Sequence, residues 1–218
     1  MASTLTLLIT TALNLRRTAT VFITISVLQA CSLFPSSDES TLALTTQQFE
    51  WPKIRPNIAH ITSWQLTGKV GIRTPEDAIT ASINRWTQVD ELFNIDISST
   101  FFGIGASNIT GTNDFITLSE AGEEPVHSSY PNELIESALG LALPLTYLPY
   151  WIKALPIPNH PFDITFNSQG LPEKITQLGW DIIFSRYQLV DGIPLPKKLK
   201  LTSEQSRITL AIKQWTLI

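Results

Sequence analysis

Side chains able to do bond chemistry are few in this sequence, and they are scattered. His60, His127 and His160 could act as general bases or zinc ligands, but each stands singly beside Ala, Ser or Pro, and lone imidazoles in such settings read as loop or surface residues. Asp90-Glu91 and Glu123-Glu124 pair carboxylates. Adjacent acids next to turn residues read as solvated loop charge, and no spacing supports an acid/base couple. No G-x-S-x-G elbow, G-x-x-x-x-G-K-[ST] loop or G-x-G-x-x-G fingerprint occurs. Phe102-Gly103-Ile104-Gly105 holds only a G-x-G fragment, read as glycines at a strand entrance. The expectation is a protein that is not an enzyme and takes no metal or cofactor. The formal charge of -4 and pI near 5.4 leave no global basic footprint for nucleic acid.

The one residue placed for chemistry is Cys31, the only cysteine of the chain. A single cysteine rules out an intramolecular disulfide framework and a Cys-rich metal site. Upstream, Arg16-Arg17 is followed by the uncharged, largely apolar residues 18–30. That run is shorter than the roughly 20 residues a membrane-spanning helix needs. It suits the hydrophobic part of a secretory signal behind a basic flank. It ends Leu28-Gln29-Ala30-Cys31-Ser32. This is similar to a bacterial lipobox, with Gln29 where a small residue is usual. Lipoprotein processing cleaves before the cysteine, which then carries acyl chains on its sulfur and its new amino group. Several chains give stable anchoring where one gives only marginal binding. Ser32, rather than Asp, after the cysteine resembles an outer-membrane address. Residues 1–30 are therefore expected to be a signal peptide and Cys31 the lipid anchor. The remaining 188 residues carry 13 basic against 19 acidic groups, a formal charge of -6. Attachment must then come from the lipid, not from attraction to anionic headgroups.

Residues 31–46 are rich in Ser and Thr and lack apolar periodicity, so they read as a lipidated tether. Residues 47–218 form the domain. In 47–63, Pro52 and Pro56 are expected to break any continuous helix into short turns. Period-2 alternation then begins. Trp64, Leu66, Val70 and Ile72 share one face, opposite Gln65, Thr67, Lys69 and Arg73, the mark of a half-buried antiparallel strand. Thr74-Pro75-Glu76-Asp77 is turn chemistry. Ile79, Ala81 and Ile83 continue a face, and Trp86 breaks its parity, which predicts a bulge. Phe93, Ile95 and Ile97 give a third strand; residues 104–110, 115–119 and 126–129 give three more.

The middle changes character. Residues 131–141 place Leu134, Ala138 and Leu141 at helical spacing behind Pro131. Residues 145–154 are a second, very apolar helical stretch interrupted near Pro149. Strands return at 162–166, 173–178, 180–189, 196–202 and 207–217, with Asn167-Ser168-Gln169-Gly170 as a turn. Roughly eleven strands with a helical insert predict an α+β, mainly β domain. A single antiparallel sheet of that size curls around its apolar face, and the helices are its natural cover. Periodicity alone leaves open whether that apolar interior is filled or hollow. Phe101-Phe102 stands apart, in a polar, Gly-ended connection. Neighbouring strand residues point to opposite faces, so the two rings cannot share one core layer. Either one is exposed, suited to a membrane or acyl chain, or both plug a barrel end.

Several ordered motifs carry a family resemblance. They are Trp64-Gln65-Leu66-Thr67-Gly68-Lys69-Val70-Gly71-Ile72-Arg73, then Arg85-Trp86-Thr87-Gln88 and Phe93-Asn94-Ile95-Asp96-Ile97. Leu143-Pro144-Leu145 follows, with Leu148 and Trp151-Ile152-Lys153-Ala154. Gly179-Trp180-Asp181-Ile182 with Tyr187, Leu195-Pro196-Lys197-Lys198-Leu199-Lys200-Leu201 and Lys213-Gln214-Trp215 complete the set. Over residues 64–218, together with Cys31, the chain resembles the LolB family of outer-membrane lipoprotein receptors. Lys153-Ala154 stands where the family pattern has x-Gly.

The resemblance implies an open, curved antiparallel sheet, a half-barrel, with a helical lid over an apolar cavity. It implies a monomer, lipid-anchored in the outer membrane and facing the periplasm, that takes acylated lipoproteins from the periplasmic carrier LolA and delivers them into that membrane. The residues expected to line the acyl-chain cavity are Leu66, Val70 and Ile72 of the first strand, Ile83 of the second, and Phe93 and Ile95 of the third. Leu134, Leu145, Leu148 and Trp151 would come from the lid, and Trp180, Ile182 and Leu199 from the later strands. The family's protruding membrane-insertion loop falls on Phe101 and Phe102, and the resemblance leaves open which ring is its tip. The alternative reading is a lipid-binding or structural outer-membrane lipoprotein with different cargo.

Overall fold

A computed structural model describes residues 47–98, 106–140 and 143–218. The signal segment, Cys31, the tether, Phe101 and Phe102 lie outside the described residues. The strands are β1 (Ser63–Arg73), β2 (Ala78–Val89), β3 (Leu92–Ser98), β4 (Ala106–Gly111), β5 (Ile116–Glu120) and β6 (Val126–Ser128). After the helical insert come β7 (Asp163–Phe166), β8 (Pro172–Gln177), β9 (Trp180–Val190), β10 (Ile193–Thr202) and β11 (Arg207–Leu217). They form one sheet in the order β6-β5-β4-β3-β2-β1-β11-β10-β9-β8-β7. Each half is a meander of antiparallel hairpins, and the β1–β11 pairing of the two end strands joins them. The expected mainly β, eleven-stranded open antiparallel sheet is what the chain forms.

The predicted bulge is present and has a counterpart. Leu66 pairs with Trp86 and Gly68 with Ile83, so Asn84 and Arg85 together face Thr67. On the other flank Thr67 pairs with Gln214 and Gly68 with Ile212, leaving Lys213 as an extra residue. Two bulges thus bracket β1 at one level. Gly68 lies there so close to β11 that a Cβ would collide with the carbonyl oxygen of Ala211. Paired bulges bend a sheet, and the bend is large. Ile109 of β4 and Leu201 of β10 face the same cavity, although five strand steps separate them. In a flat sheet those steps would span about 24 Å.

Before the sheet, helix α1 (Trp51–Ala59) runs unbroken through Pro56, contrary to the expectation of short turns. Pro52 sits in the first turn, where a missing N–H costs nothing. Pro56 forfeits one hydrogen bond, and its carbonyl still accepts from the His60 N–H at 3.0 Å. Trp51 and Ile58, seven residues apart on one face, are both buried, which holds the helix despite the proline.

The insert forms α2 (Pro131–Leu139), a single 3-10 turn (Leu145–Tyr147) and α3 (Leu148–Trp151). Gly140, at φ 67°, ends α2 with a left-handed cap. The inward face of α2 centres on Pro131 and Ile135, with Leu134 and Ala138 half-buried at its flanks. Leu134 and Ala138 of the predicted stripe thus sit about one position off the buried line, and Leu141 lies outside the described residues. Pro144 and Pro149 both stand at the starts of short helical pieces, which is why the apolar stretch is segmented and not one rod.

Candidate functional site

Between the inner sheet face and the insert lies a cavity whose lining, among the described residues, is wholly apolar. The sheet supplies Val70 and Ile72 from β1, Ile83 and Trp86 from β2, Ile95 and Ile97 from β3, and Ile109 from β4. Leu201, Ile208 and Leu210 come from β10 and β11. The insert supplies Ile135, Leu143, Leu145, Leu148 and Ile152. Of the residues expected to line it, Val70, Ile72, Ile83, Ile95, Leu145 and Leu148 do so. Leu66, Phe93, Trp151, Trp180, Ile182 and Leu199 are buried in the surrounding core, and Leu134 packs half-buried against it. Ile97, Leu201, Ile208 and Leu210 line it as well, from β3, β10 and β11. Ile109, Ile135 and Leu143 had no distinguishing signal.

About 70 Å³ of this cavity is free. An engineered cavity of about 150 Å³ holds a single benzene, so an acyl chain needs more room than the insert leaves among the described residues. The insert's attachments are therefore informative. Trp151 donates through Nε1 to Gln177 Oε1 at 3.2 Å. The Ile157 N–H donates to the same oxygen at 2.8 Å. Gln177 Nε2 donates to the Ile157 carbonyl at 3.0 Å. Lys153, buried on the turn after α3, donates to the Ile61 carbonyl at 2.6 Å, and burial lowers its pKa to about 8. Across β2, β1 and β11 Trp86, Trp64 and Trp215 pack in a row, with centroids 5.4 and 5.2 Å apart. Trp215 Nε1 donates to the Pro196 carbonyl at 2.9 Å.

The outer face is polar by comparison. Arg85 and Asp96 are cross-strand partners joined at 2.6 Å. Lys174 hydrogen-bonds Asp181 at 2.9 Å and holds its carboxyl below the usual range. Polar outside, apolar and lidded inside, the site has the composition of a hydrocarbon container. Among the described residues no cluster of His, Cys, Asp and Glu is arranged to hold a metal ion.

A family model described as outer membrane lipoprotein LolB matches residues 62–215, from β1 through the insert into β11. The chain belongs to the LolB family. Relatives named outer-membrane lipoprotein LolB include one from Marinobacter nauticus, 33% identical over 168 residues, covering 76% of this chain and 81% of that protein. One from Chromohalobacter salexigens is 33% identical over 195 residues, covering 89% and 87%. Among solved structures, a DUF1329 family protein from Desulfovibrio piger has the same fold, with a TM-score of 0.50 at 9% identity over 74% of this chain and 88% of that one. A LolA superfamily protein from Nitrosomonas europaea gives a TM-score of 0.49 at 11% identity over 78% and 94%. In this LolB family member the matched span begins at the strand that carries the paired bulges, so the region of family likeness coincides with the container.

Proposed function

We propose that this protein is an outer-membrane lipoprotein receptor. Held by acyl chains on Cys31, it accepts lipoproteins from the periplasmic carrier LolA and delivers them into the outer membrane, working as a monomer and breaking no covalent bond. The observation that carries the reading is the cavity, apolar throughout among the described residues, that lies between the sheet and an insert of short, proline-delimited pieces.

Hydrocarbon burial contributes roughly 0.8 kcal/mol per CH₂. A receptor that holds each acyl chain slightly better than the carrier does therefore gains a large total over several chains, and transfer needs no external energy. Opening costs the apolar contacts between the insert and the sheet, and an entering chain replaces those contacts with its own. A closed empty state keeps water from the apolar lining, and cargo binds the open state selectively. Delivery then requires approach to the membrane, for which Phe101 and Phe102 supply the apolar tip.

The test mixes residues 32–218 with carrier loaded with an acylated lipoprotein and follows the cargo. Movement to this protein without added energy is the expected result. No movement, with folding shown by circular dichroism, would give the role to another lipid cargo. Phe102→Glu is expected to leave uptake intact and block delivery to vesicles. Unchanged delivery would overturn the assignment of the tip.

A further inference from the structure

Beside the apolar cavity lies a second, polar hollow of about 260 Å³. The two share a wall. Leu148 faces the apolar cavity, whereas Pro149 and Tyr150, the next residues of α3, face the polar one. Lys153 lines the hollow and is only 7% exposed. An ammonium has three N–H donors, and one of them goes to the Ile61 carbonyl. Among the described residues Lys153 forms no ion pair. A buried cation without a counter-charge is costly, and a methionine would pack the same turn without that cost.

Asp90 and Glu91, both exposed, line the same hollow, yet neither reaches within ion-pair distance of the ammonium. Gln88 Oε1 and Trp64 Nε1, also on its wall, are buried without a hydrogen-bond partner among the described residues. Opposite charges that face one space and do not neutralise each other are complementary to a ligand carrying both charges in the reverse order.

We propose that this hollow binds the phosphate–ammonium head of a zwitterionic glycerophospholipid, with the phosphate on Lys153 and the ammonium at Asp90 and Glu91. The phosphate oxygens accept from the two unused Lys153 donors, and charge-assisted hydrogen bonds of this kind are the strong ones. The three charged groups sum to −1, which disfavours a head that is only anionic. The acylated end of a lipoprotein offers ester and amide carbonyls but no cation for the two carboxylates. The inference stands on this hollow and holds whatever cargo the apolar cavity carries.

The experiment titrates the full-length protein, in a non-ionic detergent, with dihexanoyl phosphatidylethanolamine and with dihexanoyl phosphatidylglycerol in a calorimeter. The zwitterionic lipid is expected to bind at least about tenfold more tightly. Lys153→Met is expected to weaken it by at least about tenfold. Asp90→Asn combined with Glu91→Gln should abolish the preference and leave the anionic lipid no weaker than before. Equal binding of the two lipids to the parent, or a preference that survives the double variant, overturns the proposal. Both acids are exposed, so the double variant decides the matter independently of Lys153→Met. Capture of a triacylated cysteinyl peptide is measured in parallel. If Lys153→Met weakens that capture and leaves the phospholipid unaffected, the hollow belongs to the cargo's head, and the inference fails while the receptor reading stands.

Discussion

Trp151 and Gln177 are joined at the buried exit of the lid, indole Nε1 donating to amide Oε1 at 3.2 Å. The glutamine, on β8, also pairs with both backbone groups of Ile157. One side chain thereby stands in for the strand that the coil after α3 lacks. Gln177→Leu keeps the volume and leaves the Trp151 N–H and the Ile157 N–H and C=O unpaired. Each unsatisfied buried group costs about 1–3 kcal/mol, so urea unfolding should show a loss of about 3–5 kcal/mol. A loss under about 1 kcal/mol would mean that apolar packing alone holds the lid's exit.

Lys153 makes stability depend on pH in an unusual direction. Its pKa falls from 10.5 in the open chain to about 8 in the fold, through desolvation. Below pH 8 it is protonated in both states, and the folded state bears the full cost. Between 8 and 10.5 the unfolded chain binds more protons, so stability rises with pH. Tyr187 acts oppositely above its usual value near 10. Its buried phenol, which donates to the Pro172 carbonyl, is raised in pKa, so the unfolded chain loses its proton first and stability falls. The clear window is pH 8–10. Lys153→Met should stabilise the fold at pH 7 by about 1–3 kcal/mol and flatten the rise through that window. Thermal melts of parent and variant that run parallel from pH 7 to 10 would contradict this.

What could be read from the sequence was whatever one strand or turn encodes by itself. Trp64, Leu66 and Ile72 alternate because β1 has one wet face, and the parity break at Trp86 announced the bulge at Asn84 and Arg85. The helix through Pro56 was missed because a local rule about proline was outweighed by burial of Trp51 and Ile58, a tertiary effect. Gln177 carries no local signal at all, since its partner Trp151 lies 26 residues upstream. The division between cavity and core was equally hidden. Ile95 and Ile182 sit in the same kind of alternation, and only the placement of the insert makes one a lining residue and the other filled core.

The paired bulges make Gly68 the point at which curvature depends on a missing side chain. Its Cβ would collide with the backbone of Ala211, whereas a Cβ at Gly71 meets nothing closer than 3.8 Å. Gly68→Ala must displace β11 and should cost about 2 kcal/mol or more, as overpacking does. Gly71→Ala, three residues along the same strand, should fall within about 0.5 kcal/mol of the parent, since glycine has no strand preference to lose. The comparison is made by denaturant titration of both variants. Equal effects would remove Gly68 from the account of how the sheet closes around its contents.

Ile109 offers the most direct way to separate a container from a core. It is buried on β4, between Ile95 and Leu118 in the ladder, and faces the free volume. Ile109→Phe puts the larger side chain where space already exists, so stability should stay within about 1 kcal/mol of the parent. The added ring occupies space that an acyl chain must enter, and capture of an acylated cargo from its carrier should fall at least about fivefold, which is about 1 kcal/mol. Ile182→Val is the complementary change, in the filled part of the interior. Removing a methylene there should cost about 1 kcal/mol of stability and leave capture unchanged. If Ile109→Phe takes up cargo as the parent does, the acyl chains are held elsewhere, and the apolar cavity is only an imperfection in the packing.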